Sequence, residues 1–142
     1  MARPFRILIA SHGELAAALV STAELIVGRL EGVRTLALGT EESPEAFAER
    51  ARPEFAAGAD SAILVLTDLY GGTPHNVLTA VGRGRPVDSP VHSIAGVNLG
   101  LLIEAATMTE ELTADAVARL VERARRGLVN EARAASPTAA RS

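Results

Sequence analysis

Residues 62–74 read Ala-Ile-Leu-Val-Leu-Thr-Asp-Leu-Tyr-Gly-Gly-Thr-Pro, and this stretch decides the fold. Its first five residues are an unbroken apolar run, which is typical of a strand buried on both faces of a parallel sheet. The run ends in polar residues and glycines, which indicate a loop at the carboxyl end of the strand. The stretch therefore predicts the strand–loop–helix unit of an α/β protein.

The second half of the stretch predicts the loop and the start of a helix. Gly71 and Gly72 allow positive φ and let the backbone come close to a ligand. We expect Thr73 to be the N-cap and Pro74 to occupy the first helical position, with the helix running over residues 75–81.

The same unit recurs on both sides of this stretch. Further strands are predicted at residues 5–10, 33–38 and 91–95. Helices are predicted from Leu15 to a stop at Gly28, from an N-cap at Ser43 through Phe55, from Leu99 to Ala106 and from about Thr113 to Arg126.

This alternation predicts an α/β fold: a three-layer sandwich with a mainly parallel central sheet, a flavodoxin-like strand order at the active site, and helices on both faces. We expect residues 1–133 to form a single domain and residues 134–142 to be a flexible tail.

Composition excludes several classes of protein. The chain has 142 residues, a net charge of −3, no Cys, and no Lys among its 14 basic residues. The lack of Cys excludes disulfides, thiolate metal sites and Cys nucleophiles, and the lack of Lys excludes Walker-type phosphate loops and Schiff-base enzymes. Few aromatic residues and no basic surplus argue against nucleic acid as a partner. His12 and Glu14 interrupt the first apolar run too early for a signal peptide, so we expect a cytoplasmic protein.

Polar residues follow three of the predicted strands. His12 follows the first strand, Asp68 the third and Asn98 the fourth. In open α/β sheets, ligands bind beyond the carboxyl ends of the strands, where the strand order reverses. The first and third strands are neighbours in a flavodoxin-like order, so we expect His12 and Asp68 to face each other across a crevice.

The glycines beside these residues favour phosphate as the ligand. The helix after Gly71 and Gly72 begins with unpaired N–H groups and the positive end of its dipole, and Thr73 adds a hydroxyl. The helix after Gly13 supplies a second set of N–H groups. Such helix starts bind phosphate, so we predict a phosphoryl site between them.

His12 is the predicted nucleophile of this site. A carboxylate that accepts a hydrogen bond from one imidazole nitrogen leaves the other nitrogen with a free lone pair. We assign that orienting role to Asp68. A reversible phosphohistidine carrier needs no metal and no cofactor, and we expect neither.

Three segments carry a resemblance to a known family. They are Ile7-Leu8-Ile9-Ala10-Ser11-His12-Gly13, then Asp68-Leu69-Tyr70-Gly71-Gly72-Thr73-Pro74 with Asn76, and finally Gly96-Val97-Asn98. Through them the chain resembles, over most of its length, the EIIA component of the mannose/fructose/sorbose family of the bacterial sugar phosphotransferase system.

The resemblance implies a protein-to-protein phosphotransferase. His12 would take a phosphoryl group from the carrier protein HPr and pass it to an EIIB protein or domain, which serves membrane permease components. Asp68 would be the active-site carboxylate and Thr73 would help to hold the phosphoryl group. The resemblance also implies a homodimer with an exchanged C-terminal strand, for which residues 127–129 are the candidate segment.

Several residues allow a second interpretation. Leu69 and Tyr70 are predicted to contact a partner, but Tyr70 could instead pack beneath the loop. Asn98 could contact a partner or cap the next helix. His75 stands where related proteins usually have a residue that does not titrate, and we place it outside the chemistry together with His92 (at the fourth strand).

Three other functions fit parts of the pattern. A regulatory phosphohistidine protein that takes no part in transport would have the same site. The phosphoryl-donor subunit of a dihydroxyacetone kinase shares the fold and the strand-end His, but usually lacks the Gly-Gly-Thr-Pro motif. A metal-dependent hydrolase could use His12, Asp68 and His92, although the dense carboxylate cluster of a two-metal site is missing.

Overall fold

Four parallel strands form the central sheet in the computed structural model, which describes residues 3–58 and 60–134. The strands are β1 (Phe5–His12), β2 (Val33–Leu38), β3 (Ala62–Thr67) and β4 (Val91–Ala95). Their spatial order is β2-β1-β3-β4, which confirms the flavodoxin-like order. The order reverses between β1 and β3, so the two strands that carry the predicted site are hydrogen-bonded neighbours.

Helices follow the strands in the predicted α/β alternation. They are α1 (Leu15–Val27), α2 (Pro44–Ala56), α3 (Thr73–Gly82), α4 (Leu99–Ala106), α5 (Ala114–Arg125) and the short α6 (Glu131–Ala134). Ala134, predicted to begin the tail, thus ends α6, and the rest of that tail, residues 135–142, lies outside the described residues. Among the described residues, no helix combines the length and the apolar character needed to cross a membrane.

The sheet is covered on both faces, which confirms the three-layer sandwich. Alternate residues of β1 and β3 point to opposite faces, so each strand contributes to two apolar clusters. Helices α1, α4 and α5 cover the cluster that includes Phe5, Ile7, Ile9, Leu64 and Leu66. Helices α2 and α3 cover the cluster that includes Leu8, Ala10, Leu36, Ile63 and Val65.

The amino edge of the sheet is tied to the helices by arginines. Arg3 donates to the Ala106 carbonyl at the end of α4, and Arg6 donates to the Glu54 carbonyl near the end of α2. Arg85 donates to the carbonyls of Phe55 and Ser61. These cations complement the negative ends of the helix dipoles at this edge.

One local prediction is wrong. The N-cap of α3 is Gly72 rather than Thr73; Thr73 is already helical, and no side chain among the described residues caps this helix. Gly72 can serve because its backbone is extended and needs no side chain to enter the helix. Residues 127–129, the candidate segment for the exchanged strand, form a turn and a coil segment in the single chain, and Leu128 is 92% exposed.

Candidate active site

The His12 side chain is fixed by Asp68 at the carboxyl edge of the sheet. The register of β1 and β3 pairs Ala10 with Thr67, so the residues that follow these two positions lie beside each other. The Oδ2 atom of Asp68 accepts two hydrogen bonds from His12, one from the backbone N–H at 3.0 Å and one from Nδ1 at 2.9 Å. The predicted pairing of the two residues is therefore present in the structure.

This contact defines which imidazole nitrogen carries the proton and which keeps a free lone pair. A carboxylate is an acceptor, so Nδ1 carries the proton that it donates to Asp68. In the neutral ring, Nε2 then keeps its lone pair. The His12 side chain is 48% exposed and that of Asp68 is 12% exposed, so the imidazole faces solvent while the carboxylate is largely covered.

The Asp68 carboxyl remains ionised at neutral pH. Burial by itself raises its pKa, but the hydrogen bonds from the His12 backbone and ring outweigh burial, and the pKa lies below its usual range. The stability that this carboxylate contributes is therefore present above its ordinary pKa of about 3.9, and is lost as the pH falls through the lowered value.

Gly72 lies directly against the His12 ring. A Cβ atom on Gly72 would lie 3.0 Å from Cε1 of His12 and 3.3 Å from the Leu69 carbonyl oxygen, so a larger residue would displace the ring or the loop. The preceding Gly71 has φ +79°, a conformation that side-chain-bearing residues rarely adopt. The two glycines therefore bring the start of α3 against the His12 ring.

The backbone donors near His12 are unequally available. The N–H groups of Gly13, Gly71 and Gly72 already donate within the protein, to the Leu38 carbonyl, to Nδ1 of His75 and to the Leu69 carbonyl. A helix leaves its first N–H groups without an intrahelical acceptor. Pro74 has no backbone N–H, so it supplies no donor. The donors that α3 can turn toward a phosphoryl group are thus those of Thr73 and His75.

Ser11 shapes the His12 turn in a way that sequence reasoning missed. Its side chain is fully buried. Its Oγ accepts from the N–H of Ala16 at 2.8 Å, and donates to the Gly13 carbonyl at 3.2 Å. Ser11 thereby takes the place of an N-cap side chain for α1 and holds the turn that begins at His12 (Gly13 has φ +56°).

An ion pair holds the loop after β2, beside the His12 turn. Both carboxylate oxygens of Glu42 accept from Arg50, at 2.8 Å each, and Oε1 also accepts from the N–H of Gly39. The Arg50 and Gly39 hydrogen bonds lower the pKa of Glu42 to about 2. This arrangement fixes the end of β2, whose Leu38 carbonyl receives the Gly13 N–H.

The remaining predicted residues lie around this centre. Leu69 and Tyr70 are 59% and 81% exposed, so Tyr70 does not pack beneath the loop. Asn98 is the N-cap of α4, and its Oδ1 accepts from the N–H of Leu101 at 2.9 Å. His92 lies within β4. Among residues 3–58 and 60–134, no three His, Asp or Glu side chains form a group that could hold a metal ion.

Comparison with known proteins places this geometry in a family. A model of the family EIIA-man, described as the fructose IIA component of the PTS system, matches residues 6–122. The mannose-specific EIIAB component of the PTS system of Escherichia coli K12 is 32% identical over 100 residues, which are 69% of this chain and 30% of that protein. The chain therefore spans about 30% of the length of this curated relative.

Solved structures share the whole fold. The phosphotransferase system component EIIA from Streptococcus agalactiae has a TM-score of 0.80 and 31% identity, covering 90% of this chain and 98% of that one. The mannose/sorbose-specific IIA subunit from Enterococcus faecalis has a TM-score of 0.82 and 26% identity, covering 91% and 95% of the two chains.

The Ser11 contacts generate a stability prediction. Replacing Ser11→Ala removes the acceptor of a buried helix N–H, and we expect the free energy of unfolding to fall by about 0.5–2 kcal/mol in urea titrations. Ser21→Ala is the matched control, because Ser21 is exposed on α1 and only donates to the Ala18 carbonyl one turn back. Equal stability of the two variants would contradict the capping role of Ser11.

Proposed function

Because the chain belongs to the EIIA-man family of the PTS system, we propose that it is a phosphoryl carrier of a sugar phosphotransferase system. It accepts a phosphoryl group from phospho-HPr on His12 and passes the group to an EIIB partner. The observation that carries this proposal is the exposed His12 ring, held by Asp68 through Nδ1 so that Nε2 is the reactive nitrogen.

The transfer is a displacement at phosphorus. The Nε2 lone pair of His12 forms the new N–P bond, the bond between phosphorus and the donor breaks, and its electron pair stays with the donor. The imidazole becomes positively charged in this step, and the adjacent carboxylate of Asp68 stabilises that charge. The second transfer reverses these events toward EIIB, so His12 returns to its neutral form.

The start of α3 supplies binding for the phosphoryl oxygens. The N–H groups at this helix start and the Thr73 hydroxyl favour an anion, and the helix dipole adds to them. Gly72 lets the helix start approach the ring, while Gly71 and Gly13 provide the turns that the two loops require. Thr73 therefore acts as a phosphoryl ligand in this proposal rather than as an N-cap.

Partner proteins would dock around the exposed loop after β3. Leu69 and Tyr70 present apolar surface beside the reactive ring, and Asn98 keeps its side-chain amide N–H₂ as a donor near the end of β4. A carrier that must release each partner quickly suits a small interface, below about 1,200 Å² in total.

A second copy of the chain would cover the free β4 edge of the sheet. Strand β4 is an edge of the sheet, and edge strands are usually covered or paired. We place residues 127–129 of a second copy on that edge, which gives a homodimer that light scattering at micromolar concentration would detect. The carrier works in the cytoplasm, and its phosphoryl group reaches the membrane permease through EIIB.

The proposal predicts one phosphoryl group per chain, located on His12. Incubation with phosphoenolpyruvate, enzyme I and HPr should add the mass of one acid-labile phosphoryl group, as read by intact-mass spectrometry. His12→Ala should abolish this gain, whereas the matched variant His92→Ala should keep it. Labelling that survives His12→Ala, or that needs ATP alone, would overturn the carrier function.

Asp68 should control the rate of transfer. Asp68→Asn replaces the acceptor with a neutral amide of similar shape, so we expect phosphoryl transfer from phospho-HPr to slow by about 10²–10⁴-fold. Rapid-quench kinetics measures the rate, and circular dichroism checks that the fold is kept. A rate unchanged from that of the parent protein would reduce Asp68 to a residue that shapes the turn.

Tyr70 should contribute to partner binding. Tyr70→Ala removes an 81% exposed ring and should weaken partner binding, so the half-saturating concentration of HPr or EIIB should rise. The melting temperature should stay within about a degree. Leu25→Ala, which removes an 87% exposed side chain on α1, is the control. A loss of several degrees with normal transfer kinetics would instead make Tyr70 a packing residue.

A further inference from the structure

We propose that His75 is a positioning residue for phosphoryl transfer, which holds the Gly71–Gly72 loop under the His12 ring through its neutral Nδ1. This inference rests on the proposed function, since it concerns the same site. It assigns a role to a histidine that lies in the first turn of α3 and does not itself carry the phosphoryl group.

The peptide units of the loop are held by side chains of the helix that follows. The N–H of Gly71 donates to Nδ1 of His75 at 3.1 Å, and the Gly71 carbonyl accepts from Nδ2 of Asn76 at 3.0 Å. Both backbone groups of Gly71 are thus bound by α3. This matters because Gly71 has φ +79° and its backbone has few intrinsic constraints of its own.

The His75 ring also contacts the exposed part of the loop. Its centroid lies 4.9 Å from that of Tyr70, with the ring planes tilted by 43°. This is an ordinary separation for a favourable aromatic pair. One side chain therefore holds the loop at two points, by a hydrogen bond to Gly71 and by ring contact with Tyr70.

A change at Gly71 would reach the reactive ring through the next residue. Gly72 lies so close to His12 that an added Cβ would be 3.0 Å from Cε1, the carbon bonded to Nε2. Releasing the Gly71 N–H would let Gly72 move relative to the His12 ring. The start of α3 would then lose its alignment with the phosphoryl group. Displacements of this kind lower transfer rates without removing any reacting group.

The hydrogen bond requires the neutral form of His75. Nδ1 can accept from Gly71 only while it carries no proton, so protonation breaks the bond.

Two substitutions separate the hydrogen bond from the ring. His75→Asn places an oxygen acceptor near the position of Nδ1 and does not titrate, whereas His75→Phe keeps a ring against Tyr70 and removes the acceptor. At pH 8, we expect His75→Phe to lower the transfer rate from phospho-HPr by roughly two- to tenfold, the range that loss of one hydrogen bond gives. His75→Asn should stay within about twofold of the parent chain.

Equal rates for the parent chain, His75→Asn and His75→Phe would overturn the positioning role.

Nuclear magnetic resonance tests the same bond without any transfer reaction. The ¹⁵N spectrum of the His75 imidazole should show the tautomer with the proton on Nε2, and the Gly71 amide proton should shift upfield in His75→Phe. A proton on Nδ1, or a Gly71 amide proton that does not shift in His75→Phe, would overturn the inference. Because this readout needs no phosphoryl donor, failure of the carrier function would be recognised separately.

Discussion

One carboxylate oxygen joins the two central strands of this protein at the carboxyl edge of the sheet. Oδ2 of Asp68 accepts from both the backbone and the ring of His12, so it fixes the end of β1, the rotamer of the imidazole and the position of its proton together. A largely covered acceptor that serves two donors of one residue leaves that residue little freedom. The free Nε2 is consequently presented at a defined place on the surface.

The direction of the strands and helices places opposite helix ends at the two edges of the sheet. Parallel strands with returning helices put helix starts at the carboxyl edge, where an anion is stabilised, and helix ends at the opposite edge. There Arg3, Arg6 and Arg85 donate to the carbonyls at the ends of α4 and α2 and to the loop before β3. An anionic group is therefore favoured beside His12, while these three cationic side chains lie at the other edge of the sheet.

Sequence reasoning reached the strands, their order and the His12–Asp68 pair because each follows from a strong local pattern combined with one topological rule. The apolar run at 62–66 has few alternatives as a buried strand, and the flavodoxin-like order then makes His12 and Asp68 neighbours. It failed where two local patterns compete. Gly72 and Thr73 are both good N-caps before a proline, and the need to approach His12 closely selected the glycine.

The sequence did not predict the hydrogen bonds that side chains make to irregular backbone. Ser11 binds the N–H of Ala16 across a turn whose shape depends on the positive φ of Gly13, and His75 binds backward to Gly71. Neither contact has a periodic signal in the sequence. A histidine at the third position of a helix is also common enough that the sequence offered no reason to place it in the site.

The most direct test of the account is the identity of the phosphorylated nitrogen of His12. The phosphorylated chain, prepared with ¹⁵N-labelled histidine, would be examined by ³¹P–¹⁵N correlation spectra. Because Asp68 holds Nδ1 as a donor, the account predicts that phosphorus is bonded to Nε2 and that Nδ1 retains its proton. Phosphorus bonded to Nδ1 would contradict it, since the contact between His12 and Asp68 would then have to break for the protein to function.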